Sequence, residues 1–117
     1  MIPFGNHNAT LFHKTSTGYS IHSIIGCSWF STNERTLSDG VSVITERTTC
    51  RYLSVYQRAE PGDLFVLGTV TEKIHNEIEL VRYMQQLRSK GYRTFRVQSF
   101  ADRSTGPALP HYSAIGE

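Results

Sequence analysis

The chain has 117 residues, of which 38% are hydrophobic and 19% are charged. This composition lies outside the range of disordered chains and is enough for one folded domain over residues 1–117. Nine arginines and three lysines are scattered singly along the chain and, against ten acidic residues, give a formal net charge of +2. Because a dedicated nucleic-acid-binding protein concentrates its basic residues in a stripe, this scattered charge gives only weak support for that class.

The N-terminal residues 1–8 include Pro3 and Gly5, so we predict a flexible arm there. The chain has neither the pattern of a signal peptide nor an apolar run near the roughly 20 residues of a membrane span. We therefore expect a soluble protein made in a reducing cytoplasm, with Cys27 and Cys50 as free thiols. A disulfide between them requires that the fold bring the two residues together.

Alternating side chains predict the first strands. Residues 9–14 form a short candidate strand, and residues 19–30 form a longer one. In the longer segment the odd positions are mostly apolar and the even ones mostly small or polar, which predicts one buried face; that face would hold Tyr19, Ile21, Ser23, Ile25, Cys27 and Trp29. The polar residues 32–40, ending in Ser-Asp-Gly, predict a loop and a turn.

Residues 41–56 are rich in Val, Ile, Thr and Tyr and predict a second long strand. The parity of the apolar residues changes along this segment, so we expect a β-bulge near residues 48–51. The Pro-Gly turn at residues 60–63 precedes a short apolar strand over residues 64–70.

Residues 72–90 carry the amphipathic spacing of a helix, followed by Gly91 as a stop signal; the expected apolar face holds Ile74, Ile78, Val81, Met84 and Leu87. Strands over residues 92–100 and 111–115, with a loop at 101–110, complete the chain. The predicted fold is mainly β with one α-helix, a small β-barrel or sandwich of five to six strands with the helix inserted between late strands. We favour a closed barrel because it leaves no exposed sheet edges.

The sequence predicts no catalytic, cofactor-binding or metal-binding residue and no enzyme activity. The five histidines, His7, His13, His22, His75 and His111, show no metal-ligand spacing. Cys27 lies among apolar residues, which predicts a buried thiol rather than a nucleophile. Glu77 and Glu79 are two apart on the predicted helix and so do not face each other as an acid–base pair would.

Arginines and tyrosines of the second long strand suggest two kinds of surface. Tyr52 and Tyr56, with the interleaved arginines, could line a groove for single-stranded nucleic acid. The same residue types are also enriched at subunit interfaces, which is the interpretation we favour. The candidate interface or channel residues are Arg35, Arg47, Arg51, Arg58, Asp102 and Arg103.

Several segments resemble the head–tail connector, or minor capsid, proteins of tailed bacteriophages. The C-terminal part reads Val-Gln-Ser-Phe-Ala-Asp-Arg-Ser at residues 97–104 and Pro-His-Tyr-Ser-Ala-Ile-Gly at residues 110–116. Earlier matches, in the family's order, are Ile-Ile-Gly-Cys-Ser-Trp-Phe at 24–30, Gly-Val at 40–41 and Gly-Asp-Leu-Phe-Val-Leu-Gly at 62–68. The resemblance spans about residues 9–116.

The resemblance implies a non-enzymatic virion protein of the phage neck, made in the host bacterial cytoplasm and without a cofactor. It implies a homo-oligomeric ring that closes the portal vertex, a head-closure or stopper position, with adaptor or tail-terminator positions as alternatives. The implied partners are a portal or adaptor ring on the head side, tail-terminator or tail proteins on the other side, and genomic double-stranded DNA in the lumen.

Overall fold

The computed structural model describes residues 5–105 and 110–117. It contains six β-strands and one α-helix over this part of the chain. The elements are β1 (His7–Thr15), β2 (Gly18–Ser38), β3 (Val41–Leu53), β4 (Leu64–Leu67), α1 (Glu77–Ser89), β5 (Thr94–Arg103) and β6 (His111–Gly116).

The six strands form one antiparallel sheet that closes on itself in the order β1-β2-β3-β6-β5-β4. Closure depends on β4, a strand of four residues that pairs with β1 on one side and with β5 on the other. The expected mainly-β fold with a helix between late strands is therefore confirmed. In the closed order each strand has a neighbouring strand on either side, so the sheet has no edge strand.

Two apolar clusters hold the fold together. The barrel interior contains aromatic rings in mutual contact, including Phe65 stacked on Phe95 with 5.2 Å between centroids. The second cluster lies between α1 and the outer face of the barrel. There the ring centroids of Phe12 of β1 and Tyr83 lie 5.6 Å apart. Both clusters are completely or almost completely buried.

The helix begins at Glu77, five residues later than the sequence predicted. Asn76 is the N-cap, and its side chain accepts a hydrogen bond from the backbone N–H of Glu79 at 2.9 Å. The Glu79 carboxylate accepts in turn from the backbone N–H of His75, a reciprocal arrangement that satisfies donors at the helix start. The buried helix residues are Leu80 and Leu87, whereas Ile78, expected on the buried face, is exposed.

A β-bulge at Gly26 overturns the predicted burial pattern of the early strand. His7 pairs with Cys27 and Asn8 pairs with Ile25, so Gly26 is an extra residue on β2, with φ at 77°. The bulge reverses the side-chain alternation, because each inserted residue shifts the phase by one. Ile24 is consequently buried and Ile25 is 62% exposed, although the sequence predicted that Ile25 would face the core.

Other boundaries also differ from expectation. Residues 32–38, predicted as a loop, continue β2, and β3 pairs with β2 and β6 without the predicted bulge at residues 48–51. Asp102 and Arg103 lie in β5 rather than in a loop. Residues 7 and 8, which the sequence assigned to a flexible N-terminal segment, belong to β1. Residues 1–4 of that segment lie outside the described part.

Candidate functional site

The most distinctive surface is a hairpin that projects from the barrel, residues 32–47, which we call the arm. Pairing of β2 with β1 ends at Cys27, and pairing of β3 with β6 begins at Thr48. Beyond these points the two strands pair only with each other. The protein measures 46 Å along its longest axis, and its radius of gyration of 14.8 Å exceeds the roughly 13 Å expected for a compact chain of this length.

A tight turn at Asp39 and Gly40 ends the arm. Both residues have positive φ, 52° and 76° respectively. This is the signature of the two-residue turn whose twist matches that of the flanking strands, and Asp-Gly is one of its preferred sequences. The Ser-Asp-Gly turn predicted from the sequence is therefore confirmed, although the segment before it is a strand.

Apolar side chains are exposed on both faces of the arm tip. Cross-strand pairing places Leu37 and Ile44 on one face and Val41 and Val43 on the other. Leu37 is 78% exposed, and Val41 and Ile44 are each 60% exposed. A two-stranded hairpin is only marginally stable alone, and clustered exposed apolar residues mark interaction surfaces. The arm tip is therefore the strongest candidate for a protein-binding surface.

Polar contacts along the arm hold its two strands in register. The guanidinium of Arg47 pairs with the carboxylate of Glu34 at 3.1 Å on the outer face. Nearer the barrel, the hydroxyls of Ser31 and Thr48 lie 3.0 Å apart across the two strands. These contacts link the two strands of the arm.

The candidate arginines divide between two ends of the molecule. Arg35 and Arg47 lie on the arm, and Arg51 lies at its base with its guanidinium 5.2 Å from the ring centroid of Phe30. Arg58 and Arg103 lie with Asp102 at the opposite end, because β3 and β5 run away from the arm toward those residues. The structure therefore does not bring the predicted residues into a single site.

The residues at the end of the barrel opposite the arm are organised around Arg58. Its guanidinium bonds to Asp102 at 2.5 Å and lies over the rings of Phe100 and Tyr112, at 5.0 and 5.4 Å from the centroids. Hydrogen bonds from Ser104, together with Arg58, lower the pKa of Asp102 to about 2. The carboxylate thus remains ionised, and the cluster is a candidate polar contact surface remote from the arm.

The predicted aromatic groove for single-stranded nucleic acid does not form. Tyr52 is completely buried, and its hydroxyl donates to the backbone carbonyl of Gln57 at 2.8 Å. Burial raises the pKa of this hydroxyl. Only Tyr56 is accessible, and its hydroxyl donates to the carbonyl of Ile25 at 3.4 Å. Because stacking requires an exposed ring face, Tyr52 cannot bind a base.

The two cysteines meet in the barrel interior as free thiols. Both are completely buried. The interaction between the two thiols lowers the pKa of Cys27 and raises that of Cys50. The thiol of Cys27 also donates to the carbonyl of His7 at 3.3 Å. A buried pair without solvent access lacks the accessible, electropositive surroundings of a reactive thiol.

A polar cluster around Asp63 lies at one end of the barrel and was not foreseen from the sequence. The buried Asp63 carboxylate accepts from the backbone N–H groups of Lys14 and Glu60 and contacts His13. The ring of His22 lies 6.3 Å from that of His13, and burial and this neighbour lower the pKa of His22. Over residues 5–105 and 110–117, no group of three or more potential ligands could hold a metal ion.

A polar cleft of about 500 Å³ separates the base of the arm from the end of α1. Trp29 and Glu46 line one wall, and Arg88 and Arg93 line the other. Arg88 is held in place by Thr94, whose hydroxyl accepts from its Nε at 2.7 Å. With acidic and basic side chains on facing walls, the cleft does not select one sign of charge.

In the part of the chain that the structure covers, no helix is long and apolar enough to span a membrane. Comparisons with protein-family models, with curated proteins and with solved structures found no match to this chain.

Proposed function

We propose that this protein is a structural subunit of the neck of a tailed bacteriophage, where copies form a ring that closes the portal vertex and docks the tail. The observation that carries the proposal is the arm, because an exposed apolar tip and two unpaired strand edges are typical of an interaction surface. A ring of identical subunits provides such a partner for every arm, through one interface repeated between neighbours.

The segments that resemble connector proteins support this assignment through their position in the fold. Residues 24–30 lie on β2, residues 62–68 contain β4, and residues 97–103 and 111–116 lie on β5 and β6. Asp102 faces Tyr112 across the pairing of β5 with β6. The resemblance therefore concerns the strands that build the barrel and its distal surface rather than scattered loops.

In this function the protein is not an enzyme, and it resides in the neck of the virion. It contacts a portal or adaptor ring on one side and a tail-terminator or tail protein on the other, while genomic DNA passes through the lumen. The small net charge of +2 suits such a lumen, since it allows DNA to pass without strong binding. Head closure is the favoured position, with adaptor or tail terminator as alternatives.

A barrel that binds single-stranded nucleic acid is the alternative function. Arg51 beside the partly exposed ring of Phe30 supports it, because stacked aromatic and basic residues line such grooves. The burial of Tyr52 weakens it, since one of the two expected stacking platforms is absent.

The test combines the purified protein with phage heads that lack tails. We expect the protein to join the heads as a ring at one vertex, visible by electron microscopy, and to retain DNA within them. The matched control is Leu37→Asp with Ile44→Asp, which changes only exposed arm residues. Failure of the unaltered protein to bind heads, together with steeply salt-dependent binding of a single-stranded oligonucleotide, would replace the neck function with the alternative.

A further inference from the structure

A second exposed apolar surface lies on the outer face of α1. Ile78 is 71% exposed and, with Val81, forms the floor of a shallow groove of about 370 Å³. Glu77, Arg82 and Gln85 form its rim. The helix packs on the barrel through Leu80 and Leu87 instead, so the fold itself leaves this groove uncovered.

We propose that the arm tip of one copy docks in this helix groove of a neighbouring copy. The docking face is the one that carries Leu37 and Ile44, the more exposed pair that shares a face. The proposal rests on the ring assembly proposed above and identifies the two surfaces that would form its subunit interface.

The charges around the two apolar surfaces are complementary. On the arm, Arg35 lies on the barrel side of Leu37, and Asp39 lies at the turn. At the groove, Glu77 is already paired with Arg96 at 2.9 Å, which leaves Arg82, five residues further along the helix, as the charge available to a partner. Neither Asp39 nor Arg82 forms an ion pair within the described residues. Docking would therefore bring Asp39 to Arg82 while Leu37 and Ile44 cover Ile78.

The position of the two surfaces on different elements determines the kind of assembly. A contact between unlike patches is heterologous, so each copy offers one arm and one groove. Repetition of such a contact produces a closed ring when the rotation between copies closes. The groove is lined by five residues, fewer than the roughly 20–30 residues that each partner contributes to a standard interface. We therefore expect a weak single contact that becomes stable when the ring closes and each copy makes two contacts.

The test uses two variants that each add one surface cysteine, Leu37→Cys and Ile78→Cys, mixed in equal amounts and treated with a short bis-maleimide. Cys27 and Cys50 are completely buried and are thereby protected from the reagent in the folded protein. We expect a cross-link between the two variants, both in concentrated solution and on tailless phage heads. The matched control replaces Ile78→Cys by Val55→Cys, at a residue that is 81% exposed and lies outside the groove.

A cross-link only between two copies of Leu37→Cys, or equal cross-linking to Val55→Cys, would overturn the helix groove as the docking site. A protein that is monomeric in solution and shows no arm-to-helix cross-link on heads would also overturn it. The result separates this proposal from the neck function. Subunits that join heads but cross-link elsewhere contradict only the docking site, whereas a cross-linked ring that ignores heads contradicts only the neck assignment.

Discussion

His13 Nδ1 lies 2.7 Å from Oδ2 of Asp63, a carboxylate that is 1% exposed and joins β1 to the segment before β4. The same carboxylate accepts hydrogen bonds from the backbone N–H groups of Lys14 at 3.1 Å and Glu60 at 2.9 Å. These bonds satisfy the buried carboxyl oxygens at the point where the shortest strand enters the barrel. Asp63 therefore stabilises the closure of the ring of strands.

Asp63→Asn should lower the free energy of unfolding by about 2–4 kcal/mol, because an amide NH₂ group would face donors that a buried carboxylate now satisfies. Urea denaturation followed by circular dichroism provides the measurement. Asp39→Asn is the control: it makes the same chemical change in the exposed turn, where Asn is also favoured, and should leave stability unchanged. Equal effects of the two changes would contradict this role for Asp63.

Gly26→Ala should destabilise the protein by about 1–2 kcal/mol, because φ at 77° places an L-residue in the left-handed region. Ser23→Ala, at an exposed position on the same strand, should change stability by less than about 0.5 kcal/mol. Both variants are compared with the parent by thermal unfolding. If Gly26→Ala is as stable as the parent, the bulge does not have the backbone geometry described here.

Tyr52→Phe should cost about 1 kcal/mol, because it removes a hydrogen bond of 2.8 Å and leaves the Gln57 carbonyl without that donor. The ring contacts with Phe65 and Tyr112 remain, so the fold should be retained. Tyr56→Phe removes a longer bond at the surface and should have almost no effect. Chemical denaturation of the two variants in parallel distinguishes the buried hydroxyl from the exposed one.

The Asp102 carboxylate should contribute to stability only when it is ionised. Its pKa is lowered from the ordinary value of 3.8 to about 2 by Ser104 and Arg58. A lowered pKa means that the contribution is complete above about pH 4 and is lost as the pH falls through about 2. Asp102→Asn should therefore be less stable than the parent at neutral pH, with the difference vanishing toward pH 2. A difference that is independent of pH between 2 and 7 would exclude this explanation.

The sequence was sufficient to predict the fold class, because Val-, Ile- and Tyr-rich segments and one amphipathic segment dominate the chain. It was insufficient to predict which face of β2 is buried, because a single extra residue at Gly26 exchanges the buried and exposed sides of the strand. No local pattern marks that glycine as a bulge rather than as an ordinary strand residue. The phase of a strand depends on its partner, and the partner is known only from the tertiary structure.

The arm was missed for a related reason. Residues 32–38 are polar, and polar residues in a strand that faces solvent on both sides look like a loop. The available signal was the Val-Ser-Val-Ile run directly after the turn, which is apolar at neighbouring positions and therefore unlike a half-buried strand. Asp63 gave no signal at all, because its partners His13 and Lys14 are about fifty residues away in the sequence.

The continuity of β2 from the barrel into the arm has a consequence for local unfolding. Its first half, residues 18–27, pairs with β1 and carries the buried Ile24 and Cys27, whereas residues 32–37 pair only with β3 and are exposed. Amide hydrogens on the two halves of the same strand should therefore exchange with solvent deuterium at very different rates, slow before Cys27 and fast in residues 32–38. Binding of a partner to the arm would slow exchange in the second half alone. The exchange rates of residues 32–38 would therefore show whether a partner is bound to the arm.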